Sequence, residues 1–310
     1  MNMNAFVFSG QGSQYPGMGA DLYEVSPAAR ALYETASCVL GYSPLELTRE
    51  QLSQTIYAQP AIVAMSLSIW EALQEKHKLA AAVCLAGFSL GEYSALAAAD
   101  VLDPADLFLL VKERAELMQK AAEQRPGGMA AVIGLDDRVI LDILEKPPFH
   151  EKVYAVNFNA PGQVVVSGLA DILPDCLNAL VDAGARRIVP LDVNGAFHTP
   201  FMKEAAEQLK RYAKQLNFRK ACFSLYSNAT AQKIPDTIDW PDYLAHHLCS
   251  PVRFVDEVRT IATDGAEAFY ELGPGKVLTG LIRKILPGSQ PFAAENVESL
   301  DRLCAILGHS

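Results

Sequence analysis

The strongest chemical signal in the sequence is the run Gly87-Phe88-Ser89-Leu90-Gly91. It follows an apolar segment ending at Ala86 and precedes a helical pattern over 92–99, which is the strand-turn-helix setting of a nucleophile elbow. Glycines on both sides of a serine relieve crowding at a sharp turn, so the Ser89 hydroxyl is presented at the carboxyl end of a strand. The Leu90 N–H then faces the same space, where an oxyanion donor belongs. The plain alternative is a tight βα turn with an idle serine.

A serine nucleophile needs a base, and imidazole is the usual one because it titrates near neutral pH. The chain has six histidines. His77 and His150 lie among Lys and Glu and read as solvated, and His309 is one residue from the last position. His246 and His247 fall inside a helical pattern and read as packing residues. His198 differs, because it follows a predicted strand and the turn Asn194-Gly195 and precedes Thr199-Pro200, a helix-start pair. Its ring belongs in a loop beside a helix start.

A third feature is an arginine on an apolar face. Along 104–122 the residues Leu107, Leu110, Val111, Leu117, Met118 and Ala121 form one stripe, and Arg114 falls within it. A guanidinium turned toward a core is costly unless acceptors meet it, and its fork suits a carboxylate. Three readings stand: an internal ion pair with Glu92 or another acid, a snorkelling stem, or a receptor for an acidic substrate. The loop Ser9-Gly10-Gln11-Gly12-Ser13-Gln14 lacks the spacing and the lysine of a phosphate loop. Its backbone N–H groups can instead supply a second oxyanion donor.

These residues need a frame. The first 126 residues alternate short apolar runs (5–8, 82–86) with helical patterns (27–40, 60–73, 104–122), which predicts βα units on a parallel sheet. Pro27, Pro60 and Pro104 are expected near helix starts. Pro126-Gly127-Gly128 then breaks the rhythm. Strands at 129–133, 153–158, 164–167 and 187–191, with helices near 136–144 and 171–183, give the β-α-β-β-α-β order of a ferredoxin-like unit. The expectation is an α/β hydrolase-like large domain of residues 1–126 and 196–310, with a ferredoxin-like small domain of residues 127–195 inserted. After it come a helix from Pro200, a short strand near Phe223, helices near Pro241 and Pro251, a strand over 268–272 and a last helix from Lys276.

Composition sets the class. Of 310 residues 50% are hydrophobic and 20% charged, a globular balance, and the net charge of −10 argues against broad nucleic-acid binding. The six cysteines show no C-x-x-C spacing, so neither a zinc site nor a disulfide framework is indicated, and reduced thiols of a cytoplasmic protein are expected. The longest apolar stretch, roughly 79–88, is too short to span a bilayer, and residues 1–12 lack the basic start of a signal peptide. No membrane association is expected.

On its motifs the chain resembles the malonyl-CoA:acyl carrier protein transacylases and the related acyltransferase domains of fatty acid and polyketide synthases. The likeness rests on F-V-F-S-G-Q-G-S-Q-Y-P-G-M-G at 6–19, G-F-S-L-G-E-Y-S-A-L at 87–96, Arg114, F-N-A-P-G-Q-V-V-V-S-G at 158–168, G-A-F-H-T-P-F-M at 195–202 and E-L-G-P-G-K-V-L-T-G-L at 271–281. The resemblance implies Ser89 as the acylated nucleophile, His198 as its base, Arg114 as the clamp on a malonyl carboxylate, and the N–H groups of Gln11 and Leu90 as the oxyanion hole. It implies malonyl-CoA and acyl carrier protein as partners, no metal or redox cofactor, and a monomer. Phe197 is similar to the malonyl-selective members, its bulk leaving little room for an α-methyl branch. Two positions depart from the family: Phe88 stands where His is usual, and His247 where Gln is common. An acidic carrier needs a local basic rim, for which Arg186, Arg187, Arg283 and Lys284 are candidates. A polyketide acyltransferase acting in trans, or an acyl hydrolase on the same Ser-His pair, are the alternative functions.

Overall fold

The computed structural model describes residues 3–76 and 83–308. In chain order the elements are β1 (Met3–Phe8), α1 (Ala20–Val25), α2 (Pro27–Leu40), α3 (Arg49–Leu52), α4 (Thr55–Lys76), β2 (Val83–Gly87), α5 (Gly91–Ala98), α6 (Pro104–Gln124), β3 (Gly127–Ile133), α7 (Asp137–Leu144), β4 (Val153–Ala160), β5 (Gln163–Leu169), α8 (Leu173–Asp182), β6 (Arg187–Pro190), α9 (Lys203–Ala213), β7 (Ser224–Leu225), α10 (Trp240–Cys249), α11 (Phe254–Thr263), β8 (Ala266–Leu272), α12 (Val277–Ile285), β9 (Phe292–Ala294) and α13 (Val297–Gly308). Five strands form a parallel sheet in the order β7-β2-β1-β8-β9.

Strand β1 shows why this sheet is sandwiched between layers. Its side chains alternate faces, and both sets are buried: Phe6 and Phe8 meet Trp70 of α4 edge-on at 5.5 and 6.0 Å, while Ala5 and Val7 join a second apolar cluster with Val258, Ile261 and Ile282. Burying each such phenylalanine contributes on the order of 1.5–3 kcal/mol. Helix α4 is long and apolar enough to cross a membrane by length and composition, yet 83% of its apolar window is buried inside the fold, as for a core helix. Pro60 lies inside this helix rather than at its start, because the chain turns helical already at Thr55. Pro27 and Pro104 do occupy first turns, the former behind Ser26, whose hydroxyl accepts from the Ala29 N–H at 3.1 Å.

The second sheet is antiparallel, in the order β4-β5-β3-β6, which is the ferredoxin-like order for a β-α-β-β-α-β chain. Its entry and exit meet: Pro126 and Gly195 form an isolated antiparallel bridge. The helix from Lys276 is not the last, since β9 and α13 follow; α13 buries Leu300, Leu303 and Leu307 on one face, a helical spacing that the sequence carries beyond the last expected helix. The motif at 271–281 is structural. Buried Glu271 accepts the Leu278 and Thr279 N–H groups at 3.0 and 2.7 Å, capping α12. Sequence readings at His77, His309 and residues 79–82 lie outside the described residues.

Candidate active site

The turn from β2 into α5 is built on close approach. A Cβ on Gly87 would collide with the backbone of Gly91 and Glu92, and one on Gly91 with the Phe8 carbonyl of β1, so the elbow accepts no side chain at either place. Ser89 sits between them at φ 50°, a left-handed conformation that costs a non-glycine residue about 1–3 kcal/mol. Such strain points to function when the surroundings enforce it. Here they do: the side-chain Oδ1 of Asn228 accepts the Ser89 N–H at 2.6 Å.

Three side chains predicted from sequence converge on this turn. Ser89 Oγ lies 2.7 Å from His198 Nε2 and accepts from Arg114 Nη2 at 3.3 Å. The other ring nitrogen, His198 Nδ1, is 3.0 Å from the Ser250 carbonyl oxygen. A carbonyl can only accept, so Nδ1 carries the hydrogen and Nε2 keeps a lone pair for the serine proton. His198 is 5% exposed and, like Ser89, left-handed, at φ 59°. Burial, then the nearby His247 and Arg114, push its pKa down to about 3, so the free site holds a neutral imidazole.

Arg114 is 1% exposed, and Glu92 is not its partner. Its Nη1 donates to Gln59 Oε1 at 2.7 Å and its guanidinium carbon lies 4.9 Å from the Tyr93 ring centroid. Glu92 turns away, accepting from the Asn228 N–H and the Tyr243 hydroxyl, with His247 Nε2 at 3.3 Å, close enough to pair when that ring is protonated. Among the described residues no carboxylate bonds Arg114, and its Nε is unpartnered. Burial lowers the guanidinium's pKa, with Tyr93 opposing, yet an arginine remains cationic. A buried cation with neutral partners is a receptor for an anion.

These groups line one cleft of about 510 Å³, with walls from the parallel-sheet layer and from Met129 of β3, Asn157 of β4 and Pro190 at the end of β6. Gln11, Leu90 and Phe197 line it too. Among the described residues neither the Gln11 nor the Leu90 N–H has a protein acceptor, and Leu90 stands at the amino end of α5, where the helix dipole favours negative charge. Phe88 packs edge-on against Phe254 at 5.3 Å, an apolar contact where the family places an imidazole. His247 is buried behind the base, with the two rings 5.9 Å apart.

The predicted basic residues do not line the cleft. Arg186 and Arg187 are exposed at the start of β6, about 10 Å along the strand from Pro190 at the cleft edge. Arg283 and Lys284 are exposed near the far end of α12, where Lys284 donates to Gln163 at 3.1 Å. The cation at the cleft mouth is Arg49, exposed at the start of α3. Sequence reasoning missed Arg49, Gln59 and Asn228, which carry no spacing signal: each reaches the site from a distant segment.

An elbow serine bonded to a tautomer-fixed imidazole, beside an unpaired buried guanidinium, is the equipment of a serine acyl-transfer enzyme acting on anionic acyl groups. The family model described as the acyl transferase domain matches residues 5–301, and the chain belongs to this family. It is 36% identical over 306 residues to the malonyl CoA-acyl carrier protein transacylase of Bacillus subtilis, covering 97% of this chain and 96% of that one. Among solved structures, an acyl carrier protein S-malonyltransferase from Vibrio cholerae is 38% identical with a TM-score of 0.89, over 97% of this chain and 99% of the other. A malonyl-transacylase solved in complex with its type II polyketide synthase acyl-carrier protein is 36% identical with a TM-score of 0.93, over 98% and 99%.

Proposed function

We propose that this chain transfers a malonyl group from malonyl-CoA to the phosphopantetheine thiol of acyl carrier protein in fatty acid biosynthesis, through a malonyl ester on Ser89. The observation that carries this reading is Ser89 Oγ held 2.7 Å from His198 Nε2 and 3.3 Å from the Arg114 guanidinium. His198 takes the serine proton as Oγ attacks the thioester carbonyl, and the Gln11 and Leu90 N–H groups receive the oxyanion. Collapse of the tetrahedral intermediate breaks the C–S bond, and the imidazolium returns its proton to the CoA thiolate. The carrier's thiol then runs the sequence in reverse. As written, the reaction uses no metal or redox cofactor.

Arg114 makes the choice of acyl group. An acetyl group would leave the guanidinium facing an apolar methyl, whereas a malonyl carboxylate satisfies it with two parallel bonds, a difference of a few kcal/mol, roughly. Burial is the main cause of the low His198 pKa, with His247 and Arg114 adding to it; the same carboxylate offsets the Arg114 share, so the correct substrate also strengthens the base. Phe197, 6% exposed, leaves little room for an α-branch. Exposed Arg49 at the mouth is the cation placed to meet the phosphates of CoA or of phosphopantetheine. Arg186, Arg187, Arg283 and Lys284, outside the cleft, are available to an acidic carrier surface rather than to its prosthetic arm.

Intact-mass measurement after mixing with malonyl-CoA tests the reading. A lasting malonyl adduct on the native chain, absent from Ser89→Ala and discharged by holo carrier protein, is expected. Release of CoA without an adduct would make the chain a hydrolase, and neither event would leave it a non-catalytic carrier-binding protein.

A further inference from the structure

Beneath the elbow lies a polar group that the reaction above does not use. Asn228, just beyond the edge strand β7, is fully buried. Its Oδ1 accepts the Ser89 N–H at 2.6 Å, while its Nδ2 donates to the Gly87 carbonyl at 2.6 Å and to Glu257 Oε2 at 2.7 Å. One planar amide thus spans the two peptide groups that flank Phe88, where the strand bends into its left-handed serine. Its own N–H donates to Glu92 at 3.0 Å, which anchors the residue at its backbone.

We infer that Asn228 is a positioning residue for the reaction: its amide clamps the elbow in its left-handed conformation and keeps the Ser89 N–H out of the oxyanion hole, while Glu257 locks the amide's orientation. The second part has a mechanistic consequence. In serine enzymes whose nucleophile also donates its own N–H to the oxyanion, that donor is free. Here it is spent on Asn228, which leaves the task to Leu90 and Gln11. The orientation is forced, since a flipped amide would aim its NH₂ at the Ser89 N–H and its oxygen at two acceptors.

Burial and the facing Glu92 push the Glu257 carboxyl well above the ordinary carboxylate range, against the Asn228 hydrogen bond, which favours the charged form. No other side chain of this size offers an acceptor and two donors in one plane. Aspartate keeps the shape and the acceptor but loses both donors, which sets its carboxylate against the Gly87 carbonyl.

The inference rests on Ser89 being the acylated residue. The test is single-turnover acylation of the full chain by malonyl-CoA, with melting temperature measured in parallel, for Asn228→Asp, Glu257→Gln and Glu257→Leu. Asn228→Asp is expected to lower the acylation rate by about 100-fold, as for a misplaced reacting group, with KM within about threefold of native. Glu257→Gln, which still offers a carbonyl to Nδ2, should stay within about threefold of native in both, whereas Glu257→Leu, which leaves one buried Nδ2 hydrogen without an acceptor and loosens the amide's far end, should lose about tenfold in rate. An Asn228→Asp enzyme that acylates at the native rate, or whose loss lies wholly in KM, overturns the clamp. Should Asn228→Asp not fold, Glu257→Leu decides: a rate loss at unchanged KM supports the clamp and a native rate overturns it. A native chain that takes no adduct removes the Ser89 reading instead, so the two failures are distinct.

Discussion

Ser89 and His198 share one hydrogen bond and one strained backbone conformation, yet the protein holds them by different means. The serine is enclosed by backbone: glycine contacts with β1 and α5 on two sides and the Asn228 amide on a third. The histidine stands in a loop just after the bridge where entry to and exit from the second sheet meet, tied through its ring to a single carbonyl besides Ser89 and otherwise positioned by burial. The nucleophile is therefore part of the core, and the base is an attachment to it. Damage to the first should appear as lost stability, and damage to the second as lost rate.

Gly91→Ala breaks the comparison on the serine side. Its methyl would meet the Phe8 carbonyl, and a destabilisation of at least about 3 kcal/mol is expected in denaturant titration. His198→Ala is the counterpart: acylation by malonyl-CoA should slow about 10³-fold while the melting temperature stays within a few degrees. An equal loss of stability in both variants would erase the distinction.

Acidity sharpens it further. A base held near 3 rather than 6.5 stays neutral in mild acid, so kcat/KM should show no imidazole limb between pH 7.5 and 5. The same depression makes the unfolded chain bind the proton first between about 3 and 6.5, so His198 contributes stability that rises with pH across that window. A rate that halves near pH 6.5 would show that the loop leaves the ring solvated. The smallest effect belongs to the rim. Arg49→Ala should raise KM for malonyl-CoA by about threefold and leave a phosphate-free malonyl thioester unchanged, the expected scale for one exposed ionic contact.

The elbow was legible because its requirements are local: two glycines, a serine and a following helix within a few residues. His198 was legible from its turn and cap, and Arg114 from helical periodicity, although its partner was not. Glu92 faces the other way, toward Tyr243 and Asn228, and Gln59 from α4 takes the guanidinium. No spacing rule couples residues 59 and 114. Asn228 is 139 positions from Ser89 and meets it only because the β2–β7 pairing brings their ends together. Pro60 misled for a related reason: the helix begins five residues before it, and the Ile56 carbonyl that Pro60 cannot bond accepts instead from the Tyr42 hydroxyl at 3.4 Å, a partner from a distant segment. Charge gave the least guidance, since candidate cations were chosen by their neighbours in sequence and the cleft mouth is bordered by another segment.

Single-turnover acylation by malonyl-CoA and by acetyl-CoA, on the native chain and on Arg114→Ala, addresses the convergence of hydroxyl, imidazole and guanidinium most directly. The native enzyme should favour malonyl by about 100-fold or more, the scale set by an unpaired buried charge, and Arg114→Ala should lose that preference while still acylating Ser89. A variant that retains the native preference would show that the guanidinium beside Ser89 does not receive the acyl carboxylate.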